Sequence, residues 1–426
     1  MGHYLGIDLG STTTKAVLID EEQKVLGLGL TNTRSNYDIA AAVAKAEALA
    51  DAQLSRIEAV LQARKLGGPV GKELRRAYRV EIAVGRLSGL RQKCLAAAAK
   101  GPKGDETAAK VDEIFARLTE DADAIFTALA EDRSRFFRDA VAGRFLAQAE
   151  KAAEEHLLSF EEAVGAFDQA MVEAENAEVA PLLGPTLASA LTRARIDASA
   201  RAMVASALEE VEADPMVVTR MVGTGYGRQR LPFPKEQIRS EILCHGLGAH
   251  AYFPNTRTVL DIGGQDTKAI QVDEKGVVTS FQMNDRCAAG CGRYLGYIAE
   301  EMNLGIHELG PLALQATRPV RISSTCTVFA GVELRERLSI GEKRENILLG
   351  LHRAIVLRAM SLLARSGGVK DEMTFTGGVA KNPAVVRELE QLVSKHYGKR
   401  QINVHPDSIY TGALGAAMFA RRQEVA

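Results

Sequence analysis

Two cysteines lie where a polar stretch gives way to a helical pattern. Cys287 follows Asn284–Arg286, and Cys326 follows Ser323–Thr325. Apolar residues then recur at helical spacing, and Asn, Asp, Ser and Thr side chains are typical N-caps. The sequence therefore predicts helices that begin at Cys287 and at Cys326. The N-terminus of a helix favours negative charge, so thiols placed there are suited to bind metal as thiolates.

A pair of cysteines supplies only half of the four-thiolate shell that usually holds an iron–sulfur cluster. We infer that a second subunit supplies the other two thiolates, so that a cluster would lie at a subunit interface. The same pattern is compatible with ordinary buried thiols, because unpaired cysteine is among the most buried residue types.

Composition limits the class of protein. The chain has 426 residues, of which 46% are hydrophobic and 25% charged, with a net charge of −1. This balance gives no electrostatic reason to expect a nucleic acid or an acidic membrane as partner. No apolar run approaches the roughly 18 residues that a membrane span needs. The N-terminus leads directly into a strand, without a signal peptide, and five cysteines fit a reducing interior, so a cytoplasmic location is expected.

Two segments follow the order strand, glycine-rich polar turn, strand. The first is Tyr4–Asp20 and the second is Thr258–Ile270. Glycine lets the backbone approach a ligand closely, and the N–H and hydroxyl groups that follow can surround a phosphate. Lys268, in the second segment, is also compatible with a position on the surface. The candidate phosphate-binding residues are Gly10, Ser11, Thr12, Thr13 and Lys15 in the first segment and Gly263 and Gly264 in the second.

The two segments resemble the phosphate hairpins of the actin, Hsp70 and sugar-kinase ATPase superfamily. The resemblance implies an α/β fold with a duplicated actin/Hsp70/sugar-kinase-like ATPase core that binds ATP and Mg2+ between two lobes. Asp8 would organise the magnesium through water, and Asp261 would lie near the magnesium or the attacking water. Gln265 could position that water, because its amide can both donate and accept a hydrogen bond. A third glycine motif would contact the adenosine through Gly377, Gly378, Lys381 and Asn382.

The stretch between the two hairpins has a different character. It is rich in Ala, Glu, Arg and Leu, and its apolar residues recur at helical spacing. We predict an ATPase lobe that starts in residues 1–37, a helical insertion over 38–215, and the rest of the core with the cluster-binding helices over 216–426. The insertion is either a solvated helical subdomain or a docking surface for other subunits.

Four motifs in this order indicate a narrower family. Asp261–Lys268, Asn284–Gly290, Ser323–Phe329 and Thr376–Asn382 resemble the ATP-dependent activators of 2-hydroxyacyl-CoA dehydratases and the ATPase subunits of class I benzoyl-CoA reductases. The long helical insertion and the run Cys287-Ala-Ala-Gly-Cys291 are similar to the benzoyl-CoA reductase subunits.

The family resemblance implies a metal site. One [4Fe-4S] cluster would be shared between this chain and a homologous ATPase subunit, with Cys287 and Cys326 as the ligands here. Cys291 departs from the dehydratase activators and is expected one helical turn beyond Cys287, which leaves open which of the two binds iron.

The function implied is that of an ATP-hydrolysing subunit of benzoyl-CoA reductase. It would couple ATP to electron transfer from ferredoxin, through the cluster, to separate ring-reducing catalytic subunits. One alternative is an activator of a 2-hydroxyacyl-CoA dehydratase. Two others keep the fold without iron: a small-molecule kinase, and an Hsp70-like binding protein that does not act as an enzyme.

Overall fold

The computed structural model describes residues 2–33, 36–131, 137–177, 183–225, 232–284, 290–322 and 327–422. The chain divides into two compact units, one made of Met1–Val25 with Val218–Ala426 and the other of Leu26–Val217. The domain ends predicted from the sequence, after residues 37 and 215, differ from these unit ends and stay a prediction.

In chain order the strands are β1 (His3–Leu9), β2 (Thr13–Ile19), β3 (Val25–Asn32), β4 (Val218–Gly225), β5 (Thr258–Ile262), β6 (Thr267–Val272), β7 (Val278–Asn284), β8 (Met373–Thr376) and β9 (Ile402–Val404). The helices are α1 (Tyr37–Ala63), α2 (Gly68–Ala98), α3 (Gly104–Glu120), α4 (Ala122–Glu131), α5 (Phe137–Glu154), α6 (Phe160–Glu175), α7 (Leu183–Arg193), α8 (Ala198–Ala213), α9 (Glu241–Tyr252), α10 (Gly292–Glu301), α11 (Ile306–Ala313), α12 (Thr327–Ser339), α13 (Arg344–Ser366), α14 (Pro383–Tyr397) and α15 (Thr411–Arg422).

The first unit contains the same strand arrangement twice. In one sheet β1 pairs with β2 in antiparallel orientation and with β4 in parallel orientation. In the other sheet β5 pairs with β6 in antiparallel orientation and with β8 in parallel orientation. β7 and β9 extend the second sheet at its two edges. The duplication places Asp8 opposite Lys15 in one hairpin and Asp261 opposite Lys268 in the other.

Helices pack against these sheets and bury apolar side chains between them. The core beside the second sheet includes Leu260, Phe375, Ile355 and Leu389, all fully buried. By length and composition α13 could cross a membrane, but 67% of its most apolar stretch is buried inside the protein. Its composition therefore fits a core helix, and the expectation that no apolar stretch approaches the length of a membrane span was wrong for this helix.

The second unit is formed by β3 and helices α1–α8. Several of these helices are capped by a side chain at their N-terminus. At the start of α1, for example, the Asn36 side chain accepts hydrogen bonds from Asp38 N and Ile39 N. One core joins α2–α6 through stacked and tilted aromatic rings, with Phe145 4.3 Å from Phe167 between ring centroids. A second core joins α1, α2, α7 and α8. The apolar periodicity seen in the sequence thus produces a helical unit with its own interior.

Candidate functional site

The first hairpin presents a carboxylate, an amine and a turn rich in hydroxyl side chains at one end of β1. Asp8 is 1% exposed and its Oδ2 lies 3.1 Å from the Lys15 Nζ. The turn is closed by a hydrogen bond from Gly10 N to Thr13 O, of 3.1 Å. Lys15 keeps 12% of its side chain exposed, and Thr12 is exposed at the tip. An accessible amine beside the backbone N–H groups of a turn can bind phosphate oxygens.

The second hairpin also has an aspartate facing a lysine in the same register, but its lysine is buried. The Lys268 side chain is 1% exposed and forms ion pairs with three carboxylates. Its Nζ lies 2.9 Å from Glu241 Oε1, 2.9 Å from Asp266 Oδ1 and 3.3 Å from Asp261 Oδ2. The sequence-based view that Lys268 could lie on the surface was therefore wrong. With all three neighbours negative, Lys268 holds the hairpin together and has little capacity left for a ligand.

Burial and charge act against each other in this cluster. Burial alone would lower the pKa of Lys268, but the carboxylates of Asp261, Glu241 and Asp266 raise that pKa well above its usual range. Burial alone would raise the pKa of Asp261, but His245 and Lys268 hold it well below its usual range. Asp261 also accepts a 2.9 Å hydrogen bond from the Thr376 hydroxyl on β8. Asp261 is therefore a fixed negative charge at the end of β5.

Helix α9 brings two further ionisable groups that the sequence analysis did not place in the site. Glu241 lies at the start of α9, and its buried position raises its pKa, an effect that Lys268 partly offsets. His245 lies one turn later and is 5% exposed, with its Nδ1 3.2 Å from Asp261 Oδ1. Burial would lower the pKa of His245, but the charge of Asp261 raises it. The sequence does carry a signal for this pair, because Glu241 and His245 are spaced one helical turn apart in a largely apolar helix.

These side chains surround a position that suits a hydrated cation. One ligand atom each from Asp8, Glu241 and His245 lie within 4.8 Å of one another. Asp8 Oδ1 is buried without a hydrogen-bond partner among the described residues, so this oxygen can still accept a bond from a ligand or coordinate a cation. Carboxylate oxygens are the ligands that Mg2+ prefers, usually together with several waters. The donor set therefore fits a magnesium ion at Asp8.

The turns of the two hairpins meet each other within the first unit. A Cβ built on Gly264 would lie 2.3 Å from Thr12 Oγ1 and 3.8 Å from Ser11 Oγ. Gly263 and Gln265 flank this contact, and both are half-buried. The structure thus brings the predicted phosphate-binding residues of both hairpins together. The role of Gln265 in positioning water stays a prediction.

The third glycine motif lies beside the second hairpin. Gly377 has φ +87°, and a Cβ there would lie 3.0 Å from Asp261 Oδ1. Gly378 and Lys381 are exposed and accessible to a ligand. Asn382 is engaged within the fold, because its Oδ1 caps α14 and its Nδ2 lies 2.9 Å from His352 Nε2. Both ends of the Asn382 side chain are thus committed, although its predicted contact with the adenosine is not tested.

The cysteine-bearing segments are described in part. Cys287 and Cys326 lie outside the described residues. α12 starts at Thr327, directly after Cys326, as predicted. α10 starts at Gly292, with Cys291 as its N-cap residue in extended backbone. The predicted helix start at Cys287 and the spacing between the thiols of Cys287 and Cys291 lie outside the described residues and stay predictions.

Comparison with known proteins identifies the family. Residues 5–420 match the BadF/BadG/BcrA/BcrD ATPase family. The chain belongs to this family. It is 45% identical over 203 residues to the activator of lactoyl-CoA dehydratase from Anaerotignum propionicum, covering 48% of this chain and 76% of that protein. It is 34% identical over 212 residues to one of the benzoyl-CoA reductase subunits from Thauera aromatica, covering 50% of this chain and 74% of that protein.

Solved structures support the fold. The Acidaminococcus fermentans (R)-2-hydroxyglutaryl-CoA dehydratase component A is similar with a TM-score of 0.53 and 24% identity, over 100% of both chains. An activator of the 2-hydroxyisocaproyl-CoA dehydratase from Clostridium difficile with bound ADPNP has a TM-score of 0.52 and 22% identity, over 99% of this chain and 95% of that one. The predicted fold class, a duplicated α/β ATPase core with a large helical insertion, is confirmed.

Proposed function

We propose that this chain is an ATP-driven activator that delivers single electrons to a partner enzyme of acyl-CoA metabolism, with a 2-hydroxyacyl-CoA dehydratase as the best-supported partner. The observation that carries the proposal is the pair of facing hairpins, with Asp8 and Lys15 on one side and the turn after Asp261 on the other. The membership in an ATPase family and the higher identity to a dehydratase activator support it.

The residues have distinct proposed roles in the ATPase site. Asp8 and Glu241 hold hydrated magnesium, and Lys15 with the first turn binds phosphate. Asp261, fixed by His245 and Lys268, orients the water that attacks the terminal phosphate. Gln265, in the adjoining turn, completes the placement of this water. The other predicted cofactor-binding residues are proposed to contact the phosphates or the adenosine.

The electron-carrying part of the proposal rests on the cysteines. The start of α12 next to Cys326 and the N-cap position of Cys291 support thiolate ligands at two helix N-termini, where negative charge is favoured. Bound there and shared with a homologous subunit, a [4Fe-4S] cluster would supply a one-electron store filled by ferredoxin. α10 and α12 also contact each other, because Arg335 forms an ion pair with Glu301. The helices that follow the two cysteine-bearing segments, α10 and α12, are therefore joined by this ion pair.

The test is anaerobic iron analysis with electron paramagnetic resonance on the reconstituted full chain. A four-iron cluster shared by two chains gives about two irons per chain. Cys326→Ser is expected to lose the iron and the signal while still binding ATP. Cys287→Ser and Cys291→Ser compared side by side identify the second ligand. Cys94→Ser is the matched control, because Cys94 is a buried cysteine on α2 in the helical unit. An iron-free wild-type chain would refute the proposal and favour a kinase of the same fold.

Benzoyl-CoA reductase is the second candidate for the partner assignment. The similarity to the Thauera aromatica protein and the length of the helical unit favour it. In that case the electron would pass to ring-reducing catalytic subunits. Purified partner complexes separate the two candidates, since one predicts ATP-dependent dehydration of a 2-hydroxyacyl-CoA and the other predicts ATP-dependent reduction of an aromatic ring.

A further inference from the structure

The second hairpin turn holds the start of α10 at three points. The Thr267 hydroxyl donates a 2.6 Å hydrogen bond to the carbonyl of Gly290. Gly292 N and Arg293 N each donate a 2.8 Å hydrogen bond, to the carbonyls of Gly263 and Gly264 respectively. The three bonds lie on both sides of Cys291, and together we call them the clasp.

The clasp is buried and leaves little space for adjustment. Thr267 and Cys291 are each 1% exposed. A Cβ on Gly292 would lie 3.1 Å from Gly263 O and 3.2 Å from Val379 Cγ2, which is tighter than most contacts between side chains. Packed protein interiors transmit displacement because they are dense and hold few voids. The segment that carries Cys291 must therefore follow a movement of the second turn.

On its other side the same turn touches the first hairpin. Gly264 faces Thr12 closely enough that even a methyl group would collide with the Thr12 hydroxyl. A phosphate group that enters between the two turns has to separate Gly264 from Thr12. Because the carbonyl of Gly264 is bound to Arg293 N, that separation pulls directly on the start of α10.

We infer that Thr267 is a positioning residue that couples the nucleotide state of the two turns to the segment around Cys291. Among the three bonds of the clasp, the Thr267 bond is the one that a side chain makes, so a point mutation can remove it. The inference rests on the proposed binding of nucleotide phosphates at these turns. It requires no cluster, because the coupling reaches the thiol segment through protein contacts alone.

The test uses the full chain, reduced and free of metal, and a maleimide probe whose attachment to each cysteine is followed by peptide mass spectrometry. Labelling of Cys291 requires the clasp to open, since Cys291 is buried. In the wild type, ADPNP with Mg2+ is expected to change the Cys291 labelling rate by about fivefold or more, at the lower end of typical coupling between sites. Thr267→Val, which keeps the shape but loses the hydroxyl, should raise the nucleotide-free rate by about fivefold, as expected for one lost buried hydrogen bond. It should also weaken the response to ADPNP, which the two backbone bonds of the clasp can still transmit in part.

Two further variants complete the design. Thr267→Ser keeps the hydroxyl and should restore the nucleotide response. Thr258→Val is the matched control, because Thr258 is a fully buried threonine on the same hairpin whose hydroxyl bonds Gln271 at the end remote from the turn. It should label like the wild type. Calorimetry with ADPNP establishes nucleotide binding in each variant.

The inference is overturned if Thr267→Val keeps the full response, if Thr267→Ser behaves like the valine variant, or if a wild-type chain that binds ADPNP shows no response. These outcomes differ from failure of the proposed function. An iron-free protein whose Cys291 labelling still responds to ADPNP would refute the electron-transfer role and leave the coupling intact.

Discussion

Replacement of Lys268 by methionine tests whether the buried charge cluster supports the fold. Methionine matches the length of the lysine stem but leaves Glu241, Asp261 and Asp266 without their shared cation. Removal of one partner from a buried ion pair typically costs about 3–5 kcal/mol, because the remaining charge stays buried and uncompensated. In a unit of this size, that loss lowers the melting temperature by about 6–20 °C.

The matched control is Lys15→Met, the equivalent change in the first hairpin. Within the described part of the chain Lys15 forms an ion pair with Asp8 alone, and it reaches solvent, so water can take its place. We expect a loss of at most about 2 kcal/mol in the free energy of unfolding, together with a large loss of ATP affinity. Denaturant unfolding and nucleotide calorimetry on both variants provide the comparison. A Lys268→Met chain as stable as the wild type, or less affected than Lys15→Met, would refute the structural assignment.

The pH dependence gives a second check on the same variant. In the wild type the pKa of Lys268 is higher in the folded than in the unfolded protein. Lys268 therefore makes its full contribution to the free energy of unfolding below its unfolded pKa, and this contribution is lost only as the pH rises through the folded pKa. Between about pH 5 and pH 8 the wild-type contribution of Lys268 is therefore constant. Without Lys268, the already raised pKa of Glu241 rises further, and the carboxyl becomes neutral as pH falls. The stability deficit of Lys268→Met should shrink towards acid pH; a deficit that grows there contradicts the sign of these interactions.

Two further predictions concern the surroundings of the site. In Gly412→Ala the new Cβ would lie 2.7 Å from His245 Nε2 and 3.0 Å from Asp8 Oδ2. We therefore expect the rate of ATP hydrolysis to fall by about tenfold or more. The control is Gly85→Ala on α2, where a Cβ meets nothing within 4 Å; it should leave hydrolysis unchanged and raise the free energy of unfolding by up to about 1 kcal/mol. Burial lowers the pKa of His352 to about 4, so the protein should lose up to roughly 3 kcal/mol as pH falls from the unfolded His pKa to that value. His352→Gln should remove this slope, which denaturant titrations at several pH values would measure.

The parts of the site that the sequence predicted are those set by local pattern. The turn after Asp8 is closed by Gly10 and Thr13, and each lysine faces its aspartate through hairpin register. The position of Glu241 escaped prediction because α9 is far in the chain from the first hairpin and approaches Asp8 only in the folded core. The start of α10 at Gly292 likewise depends on tertiary contacts, because bonds from the second turn hold residues 290–293.

The duplicated hairpins differ in what their lysines can do, and under the proposed function this difference would let one site both bind a nucleotide and transmit its presence. Lys15 remains accessible, so the first turn can respond to phosphate. Lys268 pairs with three carboxylates, which ties the second hairpin to the start of α9 and would stiffen it. A rigid hairpin moves as a whole when its turn is displaced, whereas a compliant one would absorb the displacement locally. If the proposed coupling holds, the buried charges beneath the second turn would help to transmit the binding of a phosphate at Thr12 and Gly264 to the segment around Cys291.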